Sequence, residues 1–115
     1  MIKVEYTKEG SIAIITLEGN MMGTCDAEEL HAAVISLLEK NINKIVLNMA
    51  EVHWIGSLCI GAVMREVISA RQKEGDIYLA SPSKKVQRLF QITKLESVVK
   101  IYASVDDAVN SLQPV

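Results

Sequence analysis

The sequence predicts an α/β fold: a mixed, mostly parallel sheet opened by an N-terminal β-hairpin and packed with about four helices. Strand-length apolar segments and segments of helical periodicity alternate along the chain after the opening hairpin. Ile45-Val46-Leu47 is apolar on both faces, which suits a central parallel strand covered from both sides. At 115 residues, 50% of them hydrophobic, the chain is long enough to build one core without metal or disulfide support.

Each element has a local reason. Ile2, Val4 and Tyr6 alternate with Lys3 and Glu5, the period of a half-buried strand. Lys8-Glu9-Gly10 supplies a turn, Ser11 to Glu18 the second strand of the hairpin, and Gly19 its end. Asn20 to Cys25 reads as a loop with two exposed methionines. A helix is predicted from about Asp26, with Asp26 and Glu29 spaced as a capping box and Leu30, Val34, Leu37 and Leu38 as its buried stripe. Asn41 to Asn43 closes it. Lys44 to Met49 is a short strand, followed by a loop. The next helix runs from about Ser57 to Lys73, with Ile60, Met64, Val67 and Ile68 inward and Arg65, Glu66, Arg71 and Gln72 on the wet side. Gly75 and Asp76 break it, and Ile77 to Ala80 forms another buried strand. Ser81-Pro82 is an N-cap and first-turn proline for a helix burying Val86, Leu89 and Phe90. Lys100 to Ala103 is a last short strand. Ser104 and Asp107 open a terminal helix with Val105, Ala108, Val109 and Leu112 on one side. With no internal repeat, low-complexity tract or linker, residues 1–115 read as one domain.

Composition excludes several functions. A net charge of -2 with no basic stripe argues against nucleic acid, and Lys84, Lys85 and Arg88 form only a solvated face. Apolar runs are too short to insert in a membrane, and no signal-peptide pattern precedes them. Cys25 and Cys59 form no CxxC pair, consistent with reduced thiols in a cytoplasm, and His31 and His53 assemble no metal site. No cofactor is implied. Gly56 and Gly61 lack the following Lys-Ser/Thr of a phosphate loop, and serve a tight turn and a close helix–sheet contact respectively. His53 and Cys59 lack the third group of a nucleophilic site, so Cys59 reads as a small buried residue and the chain as no enzyme. A flavodoxin-like ligand binder has no supporting motif.

The segment Lys44 to Gly61, with its buried strand at Ile45 to Leu47, the hydrophobic pair Trp54-Ile55, Ser57 and Gly61, resembles the STAS domains of anti-sigma factor antagonists. Leu17-Glu18-Gly19 followed by Ala27-Glu28-Glu29-Leu30 adds a weaker match. The resemblance implies a STAS fold and makes Ser57 the phosphoacceptor candidate. It also implies a bacterial cytoplasmic regulator whose partner is an anti-sigma factor, a serine kinase of the switch-protein type, with a phosphatase to reset it. Asn48, Gly56, Leu58 and Cys59 depart from the family pattern. They leave open a second reading, an unphosphorylated structural subunit of a lipid-transport ABC system or a signalling scaffold.

A serine at a helix start caps a free amide, and a phosphate there meets unpaired amides and the positive helix end. The predicted docking surface joins Met21, Met22, Gly23 and Thr24 to His53, Trp54 and Gly56, and to Ser57 and Leu58. Alternation from an inward Ile55 turns Trp54 outward, where it could anchor a partner.

Overall fold

The computed structural model describes residues 2–7 and 11–112, so the predicted Lys8-Glu9-Gly10 turn lies outside the described residues. The elements are β1 (Ile2–Tyr6), β2 (Ile12–Met21), α1 (Thr24–Glu39), β3 (Lys44–Ile55), α2 (Ser57–Gln72), β4 (Asp76–Ala80), α3 (Lys84–Ile92), a 3₁₀ turn (Leu95–Ser97), β5 (Ile101–Tyr102) and α4 (Val105–Leu112). One sheet contains all five strands in the order β1-β2-β3-β4-β5. The β1–β2 hairpin is antiparallel and the other pairs are parallel.

Crossovers of one hand between successive neighbouring strands place their helices on one face of the sheet. Accordingly α1, α2 and α3 share a core with Ala13, Ile15, Leu17, Ile45, Leu47, Ile77 and Leu79. The opposite face, with Ile12, Val46, Tyr78 and Ala80, is covered by Ala108 and Leu112 of α4. Thus β3 and β4 are sandwiched, as their apolar runs require.

Several local expectations change. Strand β1 is an edge: Ile2 packs on the core, but Val4 and Tyr6 are exposed. Helix α1 starts at Thr24, and Asp26 is its third residue, accepting hydrogen bonds from the Met22 and Gly23 N–H groups at 3.1 and 3.2 Å. The N-cap of α3 is Ser83, whose hydroxyl accepts from the Val86 N–H at 3.2 Å. Ser81 instead joins β5, its N–H donating to the Tyr102 carbonyl and its hydroxyl to that of Ala103.

In α2, Cys59, Ile60, Val63, Val67 and Ala70 face inward, whereas Ile68 is 51% exposed. At roughly 100° per residue, Ile68 follows an inward Val67 and must turn away. Glu66, expected in water, is fully buried. Its carboxylate meets His31 Nδ1 of α1 at 2.9 and 3.1 Å and accepts from Arg65 Nε at 3.2 Å. Polar partners therefore compensate for its burial and tie α1 to α2.

The largest correction is β3. It extends to Ile55, so Glu51 to Ile55 is strand, not loop, and β2 continues through Gly19 to Met21. Two register shifts separate Thr16↔Asn48 from Glu18↔Glu51 and Gly19↔Val52 from Asn20↔Trp54. At each, β3 spends one residue more than β2, the signature of a β-bulge. Core side chains therefore fall at Ile45, Leu47 and Met49, then at Val52 and Ile55. Spacings of three hide the second half of the strand from a search for alternation.

Candidate functional site

The parallel strands β2 and β3 end side by side, and the Gly56 N–H donates to the Met21 carbonyl at 2.8 Å. This bond anchors the entrance to α2. Gly56, not Ser57, is the N-cap, with φ -87° and ψ 167°, and the Ile60 N–H donates to its carbonyl at 3.0 Å. These angles are open to any residue, so Gly56 is not required by a tight turn. A Cβ at Gly56 would lie 3.3 Å from the sulfur of the exposed Met22 side chain, which would have to give by a few tenths of an ångström.

Ser57 is the first residue of α2 and is exposed. Gly56 has no side chain to cap the helix, so the amides of the first turn stay directed toward incoming acceptors. Leu58 beside it is 49% exposed and Met22 53% exposed, both large apolar groups facing outward. Between α1 and α2 lies an open groove of about 340 Å³ lined by Thr24, Ala27, Glu28, Leu58, Gly61, Ala62 and Arg65. Its walls carry Glu28 and Arg65, one charge of each sign. Gly61 faces this groove with open space where a Cβ would be, so it makes no close helix–sheet contact.

The structure sorts the predicted surface residues. Met22, Gly23, Thr24, Gly56, Ser57 and Leu58 converge on the start of α2. Met21 does not belong to the surface: it is 1% exposed and packs in the core, because the chain is still β2 there. His53 is exposed on β3. Trp54 is half-buried, and the Lys85 ammonium of α3 sits 5.0 Å from its ring centroid, so it is engaged within the chain. Cys59 is buried with its sulfur 3.7 Å from the Gly23 carbonyl. Burial first, and the negative charge of Asp26 second, push its thiol pKa up. That shift disfavours the thiolate a nucleophile needs.

Three contributors had no distinct sequence signal. Glu28 and Arg65 line one groove only because α1 and α2 pack together. Asn48 supports the first bulge: its Oδ1 accepts from the Ala50 N–H at 3.1 Å and its Nδ2 donates to the Thr16 hydroxyl at 3.4 Å. Asn side chains readily bond the backbone two residues on, which is a general tendency and not a signal of a bulge here.

The STAS domain pattern matches residues 3–108. A Thermotoga neapolitana protein whose name places it among the anti-sigma factor antagonists is 34% identical over 76 residues, which is 66% of this chain and 67% of that protein. A crystal structure of a Thermotoga maritima protein of the same naming superposes with a TM-score of 0.87 at 25% identity, covering 99% of this chain and 96% of that one. The unphosphorylated form of the anti-sigma factor antagonist SpoIIAA gives 0.81 at 19% identity over 96% and 95% of the two chains. The phosphorylated form of SpoIIAA, a Bacillus cell fate determinant, gives 0.75 at 18% identity over 98% and 100%. These antagonists form a non-catalytic family. The chain described here belongs to the STAS domain family.

Proposed function

We propose that this protein is a cytoplasmic anti-sigma factor antagonist that docks a kinase-like anti-sigma factor through the start of α2, with phosphorylation of Ser57 switching that docking off. The observation that carries the reading is an exposed serine at the first position of α2, next to exposed Leu58 and Met22 and above an open groove. Apolar side chains of this kind provide contact area for a partner, and the groove between α1 and α2 offers a recess for one of its side chains.

A phosphate on Ser57 would add about two negative charges and three acceptor oxygens at this patch. The free first-turn amides and the positive end of α2 would hold it there with no change of fold. A partner packed on Leu58 would then meet charge and bulk where it had met a small hydroxyl. That SpoIIAA exists in phosphorylated and unphosphorylated forms supports extending such a switch to Ser57.

The test is affinity for the cognate anti-sigma factor, measured by calorimetry, together with phosphosite mass spectrometry of the protein from its own cells. Ser57→Ala should bind as the unmodified protein does, and Ser57→Asp at least about tenfold more weakly. Equal affinity for both variants would rule out the switch, and failure to bind any anti-sigma factor would rule out the docking role. Tight binding together with a permanently unmodified Ser57 would favour the scaffold reading.

A further inference from the structure

The outer edge of β1 carries a self-complementary pattern. The Thr7 N–H donates to the Ile12 carbonyl, and β1 pairs with β2 in a regular antiparallel register from Ile2↔Leu17 to Tyr6↔Ala13. Backbone groups alternate sides along such a strand. Lys3, Glu5 and Thr7 therefore direct their N–H and C=O groups to β2, and Ile2, Val4 and Tyr6 direct theirs away from the sheet. Among the described residues no strand pairs with that edge. Val4 and Tyr6 are 37% and 47% exposed.

We propose that β1 pairs antiparallel with β1 of a second copy of this chain, centred on Val4 against Val4, joining the two sheets into one. This register puts Ile2 opposite the second copy's Tyr6, so the outward backbone groups of Ile2, Val4 and Tyr6 meet one another. Lys3 then falls opposite Glu5, and Glu5 opposite Lys3, at the positions between hydrogen-bonded pairs where side chains approach most closely. The same two side chains lie 3.6 Å apart within one chain, so both can join a four-charge cluster across the two-fold axis. On the other face Val4 and Tyr6 would gain cross-strand apolar neighbours.

The neighbouring registers are worse. Centring on Lys3 sets lysine against lysine, centring on Glu5 sets glutamate against glutamate, and both shorten the overlap. Charges on an edge strand usually deter pairing. Here their alternation in sign permits one register and penalises the ones beside it. A five-residue strand pair is a small interface, so association should depend strongly on concentration. The Ser57 patch is left clear, because β1 pairs with β2 only as far as Leu17, short of Met21 and Gly56.

Sedimentation equilibrium from micromolar to millimolar concentration tests this, with circular dichroism confirming the fold of each variant. Lys3→Glu alone or Glu5→Lys alone should weaken dimerisation about tenfold, and the double exchange should restore it. Val4→Pro removes the central outward N–H without touching the β2 ladder and should abolish dimerisation. Amide exchange at Val4 and Tyr6 should slow as concentration rises. A chain monomeric throughout, or a dimer indifferent to the charge exchanges and to Val4→Pro, would overturn the proposal.

Discussion

The two ends of the β2–β3 ladder are built for different purposes. At one end, Ile12 to Thr16 runs beside Lys44 to Asn48 in strict register. Side chains there alternate between two covered faces, and Ile45, Val46 and Leu47 are all fully buried. At the other end, entered through one bulge after Thr16 and Asn48, Glu18 to Met21 runs beside Glu51 to Ile55 with a second bulge between Gly19 and Asn20. Only one face of that end is packed, through Met21, Val52 and Ile55, while Asn20, Glu51 and His53 stay exposed. The regular end makes the core. The bulged end keeps an apolar grip on it while carrying the chain out to Gly56 and Ser57. Bulges commonly re-aim a strand in this way beside functional sites.

Substitutions should separate the two ends. Leu47→Ala opens a cavity in the regular end and should cost about 2–5 kcal/mol in urea denaturation, with partner affinity of the folded protein unchanged. Leu58→Ala should do the reverse. It should weaken anti-sigma factor binding about tenfold while stability moves by about 0.5 kcal/mol or less, because the side chain is already half in water. Smallest is Asn48→Ala at the junction, which leaves the Ala50 N–H without its acceptor. It should cost about 0.5–1 kcal/mol, as measured by thermal melting. If Leu47→Ala lowered binding as much as Leu58→Ala, the division between the ends would fail.

Much of this is legible in local sequence. The stripe Leu30, Val34, Leu37 and Leu38 and the apolar run Ile45 to Leu47 impose their elements because their spacing has one burial solution. The resemblance in residues 44–61 pointed to Ser57 and to the fold. The misplaced features share a cause. Residue type and local period put Met21 on a loop and Glu66 in water, but their environments, like that of Trp54, come from distant segments. Lys85 covers Trp54, β3 extends β2 past Gly19 so that Met21 stays inside, and His31 receives Glu66.

By itself the sequence determined the order of strands and helices, the apolar stripes that hold them together and the serine at the start of α2. These follow from periodicity and termini, which act over a few residues. Only the tertiary structure decided that β3 continues through two bulges, that Glu66 is buried, and that α1 and α2 leave a groove beside Leu58. Those features depend on contacts between residues about 30 or more positions apart, and no local pattern encodes which distant group will satisfy a buried charge or a bulged amide.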